Sequence, residues 1–338
     1  QYVFDGCSKL ATVTYTSGTE EGNSLPQTLT LVGNYAFRNC TSLTNMKLPG
    51  VTTAGTYLFS GCTKLEKVVL GDYFTALPNY AFSGCSKLAE INLGAVATVG
   101  TYAFQNCKAL KEADFEKAVS IGATAFSGCT ALQTVNIPMA TSIGSSAFKS
   151  CALLTEVTLS DDASVTLGAS AFSGCMLLSQ INLASVKSVG ANCFENCKML
   201  EEIVFETSAA GGGGYSNLAT LGERAFYMCD SLKYIDLSKT QIKVLENDTF
   251  YKCVALTSVV LPDTLTDIGT VGNDESKSNN VFNGCTSLSN ITLPKYLKNI
   301  NGEDTFSYTA LVEVVFPKTM EKIQAETFYN CEKLKTVT

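Results

Sequence analysis

The sequence predicts an α/β-type solenoid. It is expected as one curved, right-handed superhelix of about 14 coils with a parallel sheet on the concave side, mostly strand and turn with short helical turns. Three observations predict it. Thirteen of the 14 cysteines recur with a Phe three residues before and a Leu three residues after. Successive cysteines stand mostly 22 to 24 residues apart. The apolar residues that flank them are too few to close a core inside one copy, so copies must bury one another by stacking.

The Phe–Cys pair marks each copy. The pattern runs from Phe4-x-x-Cys7 and Phe37-x-x-Cys40 to Phe328-x-x-Cys331. A fourteenth copy at Phe306-Ser-Tyr-Thr-Ala-Leu311 is one residue shorter and has lost its Cys. A strand follows as L-x-x-ψ-x-ψ, for example Leu132-x-x-Val135-x-Ile137 or Leu256-x-x-Val259-x-Leu261. Its alternation is the signature of a half-buried strand. Pro49, Pro138, Pro262, Pro294 and Pro317 close five of these strands, because proline has no N–H for the ladder. A second apolar pair comes next, often closed by Gly, as in Val96-x-x-Val99-Gly100 and Leu265-x-x-Ile268-Gly269. A small residue and Phe then sit on a predicted helical turn. The residue before Cys is Gly at 6, 61, 84, 128, 174 and 284, and Asn at 39, 106, 196 and 330. Both tolerate a left-handed backbone, so the turn is expected to end there.

These residues, of which Ala125-Phe126-Ser-Gly128-Cys129-Thr-Ala-Leu132-Gln-Thr-Val135-Asn-Ile137-Pro138 is a near-ideal copy, resemble the BspA-type leucine-rich repeat, also called the treponemal type. The resemblance covers essentially the whole chain. It implies a leucine-rich repeat solenoid over residues 1–338, a piece that starts and ends in mid-repeat. It also implies an exported or surface-attached binding protein, since several proteins of that family are adhesins. The repeat carries no catalytic residues to transfer.

Composition narrows the function classes. The chain has 338 residues, 16% of them charged and 46% hydrophobic, so it is no disordered polyelectrolyte. A net charge of −7 argues against a general grip on nucleic acid or on an anionic membrane. The chain has no His, which removes the commonest general base and metal ligand. Fourteen cysteines could suggest disulfides or metal. Equivalent thiols on neighbouring coils point in parallel, however, whereas a bridge needs Cβ atoms turned toward each other. Zinc wants ligands clustered on short spacers. Only Cys193-x-x-x-Cys197 comes near, and Cys193 fills the slot usually held by Ala before Phe. The cysteines are therefore expected as a buried column of reduced thiols, with no cofactor. No apolar run is long enough for a bilayer span. The N-terminus reads as lacking a signal peptide, so targeting and anchoring segments are expected outside this fragment.

Candidate partner-binding residues lie on the strands. The third and fifth positions of L-x-x-ψ-x-ψ face away from the core. They supply Lys67, Glu90, Asn92, Glu112, Asp114, Asn136, Glu156, Asn182, Glu202 and Tyr234, a polar and mildly acidic face. Glu90 and Glu112 are expected about 5 Å apart at the backbone. With Asp114 they read as a cation site, as a carboxylate pair of glycosidase type, or as a solvated face partly neutralised by Lys67 and Lys111. Three insertions break the period, at about 16–24, 207–216 and 269–282, and the second brings Tyr215. Insertions in repeats map to loops that often carry specificity. Tyr35, Tyr57, Tyr80 and Tyr102 form one column, read either as a platform for sugar rings or, preferably, as mutual stacking from coil to coil. The first function read from these features is an extracellular binding or adhesion module for a protein or glycan on a host or neighbouring cell. The second is a passive spacer. A glycan-directed enzyme is the distant third.

Overall fold

The computed structural model describes residues 1–15, 23–161, 164–205, 216–270 and 279–338. The chain separates into two compact units, Gln1–Ser160 and Asp161–Thr338. Together they hold about 13 turns of parallel β-solenoid. Fourteen Phe positions bound thirteen intervals, which accounts for one turn fewer than one per copy.

Each turn contributes two short strands. In the first unit the L-x-x-ψ-x-ψ segments give Asn45–Leu48, Lys67–Leu70 and Glu90–Ile91, paired in that order, and Glu112–Asp114, Thr134–Asn136 and Glu156–Thr158, likewise paired in order. All pairings are parallel and in register, with Asn45 opposite Lys67 and Lys67 opposite Glu90. The second unit repeats the scheme with Gln180–Asn182 beside Glu202–Val204, with Tyr234–Asp236, Ser258–Val260 and Asn290–Thr292, and with Glu313–Val314 beside Thr336–Val337. Strand Asn45–Leu48 stops immediately before Pro49, as a residue without N–H requires.

The second apolar pair of each copy, to which sequence assigns no strand, forms a second parallel ladder. In the first unit it runs through Ala76–Leu77, Thr98–Val99, Ser120–Ile121 and Ser142–Ile143. In the second it runs through Val165–Leu167, Val186–Val189 and Thr220–Leu221, and through Val244–Leu245, Asp267–Ile268, Asn299–Ile300 and Lys322–Ile323. Successive coils approach closely at the Gly that closes this pair. A Cβ on Gly122 would lie 2.6 Å from the Gly100 carbonyl carbon, and one on Gly222 would lie 2.5 Å from the Ala191 nitrogen.

The α/β expectation needs correction: no helix occurs among the described residues, and the Phe segment is a turn. Two features exclude a helix there. The residue two before Phe and the residue two after it are both left-handed, as at Tyr57 (φ 59°) and Gly61 (φ 77°), so no run of right-handed residues can propagate. Alternate backbone donors also reach the next coil instead of folding back. The N–H groups of Tyr35, Phe37 and Asn39 donate to the carbonyls of Thr56, Leu58 and Ser60 at 2.8, 2.9 and 2.8 Å. The Gly and Asn residues before Cys do adopt the left-handed conformation that sequence assigns to them, but they close a turn and not a helix.

The core is columnar. Phe rings of successive copies stack 4.9–5.6 Å apart in the first unit and 5.3–5.5 Å apart in the second. Cys7 is exposed and Cys331 half-buried; every other thiol is free and buried. Most do more than fill space. The thiols of Cys40, Cys62, Cys85, Cys107, Cys129 and Cys151 donate to the carbonyl of the preceding copy's Phe at 3.0–3.2 Å. Cys197, Cys229, Cys253, Cys285 and Cys331 do the same at 3.0–3.3 Å in the second unit. In the copy that lacks Cys, Thr309 stands three residues after Phe306. Its hydroxyl donates to the Phe306 carbonyl at 2.9 Å and lies 3.2 Å from the Cys331 sulfur. Burial pushes the thiols of Cys129, Cys197 and Cys253 up to about 12, against weaker lowering by the backbone near the preceding cysteine.

Candidate functional site

The first ladder has one face on the core and one in water. Met46, Val68, Ala113 and Val135 point inward, and the residues between them form two outward columns in each unit. Alternation therefore places the strand candidates on the outward face of each unit's ladder, as period-2 reasoning requires.

In the first unit Lys67 and Glu90, opposite each other on paired strands, form an ion pair of 2.6 Å. Two open grooves flank this pair. One, of about 520 Å³, is lined by Asn45, Glu66, Lys67, Lys87 and Glu90 among others. The second, of about 460 Å³, is lined by Val69, Glu90, Asn92 and Glu112. Glu90 and Glu112 thus share a groove, yet their strands belong to separate three-stranded sheets within the first ladder, with Glu112 opposite Thr134 and Glu90 opposite Lys67. Asp114 accepts a hydrogen bond from the Asn136 amide at 2.8 Å, opposite it in register. Glu156 is exposed at the end of this column. The carboxylates therefore belong to separate pairings, Glu90 to Lys67 and Asp114 to Asn136. No group of three or more metal-ligating side chains occurs among the described residues.

Asn92 does different work. Its amide oxygen accepts from the Leu70 N–H at 2.7 Å and its amide nitrogen donates to the Leu70 carbonyl at 2.9 Å. It completes the preceding strand where the regular ladder ends, so its polar atoms are spent on the chain itself. Asn182 is similar in the second unit: its side-chain oxygen accepts from the Ala184 N–H at 2.9 Å. Sequence reasoning cannot separate these two from a ligand-facing Asn, because both uses call for the same residue at the same position.

In the second unit Glu202 and Tyr234 are exposed on the outward column. Partial burial, with the Asp236 carboxylate nearby, pushes the Tyr234 phenol above its ordinary value. Val204 and Val260 flank this column and make it more apolar than its first-unit counterpart. A further groove of about 400 Å³ is lined by Asn290, Thr292, Lys295, Glu313 and Val315; sequence does not single it out. Tyr215 lies outside the described residues, as do most of the three insertions.

The Tyr column stacks. The rings of Tyr2, Tyr35, Tyr57, Tyr80 and Tyr102 lie 4.3–4.8 Å apart and within 12° of parallel. The three inner rings have both faces covered by neighbours, which agrees with mutual stacking and leaves only their edges for contact. Arg38 sits over Tyr35 at 4.6 Å and donates two hydrogen bonds to the Asp5 carboxylate at 2.7 and 2.8 Å.

The family model of the BspA type leucine rich repeat region matches residues 20–120, 97–211, 214–272 and 273–338. A leucine-rich repeat protein from Bacteroides ovatus is 25% identical, with a TM-score of 0.68 over 97% of this chain and 86% of that one. A leucine rich cell surface protein from Faecalibacterium prausnitzii is 23% identical, with a TM-score of 0.49 over 96% and 89%. A leucine rich repeat protein from T. pallidum is 25% identical, with a TM-score of 0.32 over 62% and 76%. No curated protein matches the chain.

Proposed function

Because the chain belongs to the BspA-type leucine-rich repeat family, whose repeats typically serve protein interaction, we propose that it is a binding module of a cell surface or of the extracellular space. Its partner is a macromolecule, a protein or a glycan, met through the outward columns of the first ladder. One observation carries this reading: in each unit two in-register columns of exposed side chains stand on a rigid ladder without contributing to the core. Lys67, Glu112, Asp114 and Asn136 supply the first unit's contacts; Glu202 and Tyr234 supply the second's. Residues on paired strands are held at the fixed spacing of a ladder, so little ordering entropy is lost on binding. Family membership supports the surface placement, since proteins of this repeat type are typically exported or surface-attached. No helix among the described residues is long and apolar enough to cross a membrane.

A spacer is the second reading. It is favoured by Asn92 and Asn182, whose amides serve their own backbone. Capture on arrays of matrix proteins, serum proteins and glycans separates the two. The wild-type chain is compared with K67A/E112A/D114A and with E202A/Y234A, each checked for folding by circular dichroism. A binding module predicts at least one captured partner whose signal falls tenfold or more in one of the variants. Identical capture profiles in all three proteins would refute it.

A further inference from the structure

The two residues after each repeat Cys face outward between the Phe turn and the first ladder. In the first unit they include Thr63 and Lys64, then Ser86 and Lys87, of which both lysines are exposed. In the second unit two successive copies carry exposed apolar residues at these positions, as the first unit does once at Leu153. Met176 is 51% exposed, Leu177 41% and Met199 45%. The Met199 N–H donates to the Met176 carbonyl at 3.1 Å, so the two segments run next to each other on successive coils.

The fold gives no reason for them. The core at this point is supplied by the next residues, Leu178 and Leu200, both fully buried. Copies with Ser231 or Ser287 at the same position close their turns equally well. Scattered exposed apolar residues need no explanation, but adjacent ones on a rigid surface mark a place where something docks.

The surrounding charges indicate what docks. Lys198 pairs with Asp230 at 2.9 Å and Lys233 with Glu201 at 2.8 Å, so both border cations are neutralised within the unit. Glu202, next to Glu201 and exposed on the adjoining ladder, has no ion pair among the described residues. The border therefore holds one uncompensated carboxylate beside an apolar strip. We propose that this strip docks a cationic amphipathic segment of a partner protein, with apolar side chains seated on Met176, Leu177 and Met199 and a Lys or Arg on Glu202. The thioethers of Met adapt to irregular apolar shapes, which suits a segment read by its pattern more than by one residue. The proposal rests on the binding-module reading and names the chemistry of one partner element.

The test is fluorescence anisotropy with two labelled 18-residue amphipathic helical peptides, one of Leu and Lys and one of Leu and Glu with the same apolar pattern. The full chain is compared with M176S/L177S/M199S, E202Q and, on the first unit's face, E112Q/D114N. The Leu/Lys peptide binds the wild type at least tenfold more tightly than the Leu/Glu peptide. Triple serine substitution removes at least tenfold of that affinity. E202Q costs a few-fold, a larger factor than E112Q/D114N, and flattens the salt dependence. Equal binding of both peptides overturns the proposal, as does a triple-serine variant that keeps its affinity. So does self-association in sedimentation, or binding to anionic phosphatidylserine vesicles, that the triple variant abolishes while peptide affinity stays intact. If E112Q/D114N alone loses the peptide, the strip proposal fails and the binding-module reading stands. If array capture fails while the strip behaves as stated, only the wider reading falls.

Discussion

The two units repeat one interior design and differ in what they display. Both stack Phe on Phe at about the same distance, and both have buried thiols that donate to the Phe carbonyl of the preceding copy. At the position two before Phe, however, the first unit carries a stack of Tyr, whereas the second carries Asn192, Arg224, Asp248 and Glu326. The backbone takes no notice: φ is 59° at Tyr57, 58° at Arg224 and 57° at Glu326. Coil geometry imposes the left-handed conformation, and each non-Gly residue there bears its cost of about 1–2 kcal/mol whatever its side chain. The side chain is thereby released for the surface. The same holds for the two positions after Cys, which hold Thr63 and Lys64 in one copy and Met176 and Leu177 in another. Shared columns maintain the fold; variable columns are where the units acquire separate roles.

The largest test removes a shared column. Phe126→Ala in the first unit and Phe250→Ala in the second should each cost about 3–5 kcal/mol, since both rings are fully buried between two others. Urea unfolding measures it, and equal losses would confirm that the units share one interior design. Close approach of coils comes next. Gly122→Ala and Gly222→Ala each force a Cβ to within 2.6 Å of the neighbouring coil's backbone, and each should cost about 1–3 kcal/mol.

Legibility follows the same division. The repeat, the stacked Phe, the buried thiols and the third-column register can all be read from sequence, because each is a residue type repeated at a fixed spacing. The second ladder is half legible: Val96-x-x-Val99 shows burial, but a two-residue strand is too short for alternation to declare itself. At the Phe turn the sequence misleads. The left-handed Gly or Asn before Cys is recognisable as an end signal, whereas the left-handed residue two before Phe is Tyr, Thr, Ser, Asn, Arg, Asp or Glu and gives no sign of itself. The thiol hydrogen bond is harder still to foresee. Its signal lies in the choice of Cys over Ala in thirteen copies, and Thr309 in the copy without Cys brings a hydroxyl to the same place. On the outward face sequence can place Asn92 beside Asp114 but cannot tell that one grips Leu70 and the other Asn136.

The thiols supply a prediction that depends on pH. Burial raises Cys129, Cys197 and Cys253 to about 12 in the folded chain, against about 8.5 when unfolded. Between those values the unfolded state has released protons that the folded state still holds. Stability from these groups is therefore fully present below about pH 8.5 and falls progressively toward pH 12. Urea midpoints taken from pH 8 to 10.5 should decline, and C129A should decline less steeply than wild type. Equal slopes would show that this thiol titrates alike in both states. The smallest effect concerns the variable column. Tyr80→Ser gives the first unit a side chain like those found elsewhere in the column; it should cost about 1 kcal/mol or less and diminish the near-ultraviolet dichroism of the stacked rings, with the fold intact.

The shared column is tested most directly by counting reactive thiols in the native chain at pH 8 with an aromatic disulfide reagent, then repeating the count in denaturant. Cys7 should react at once and Cys331 slowly, with the remaining twelve of 14 silent until unfolding releases them all. Rapid native labelling of several internal cysteines, or a denatured count short of 14 because sulfurs are bridged, would contradict a column of buried, hydrogen-bonded thiols.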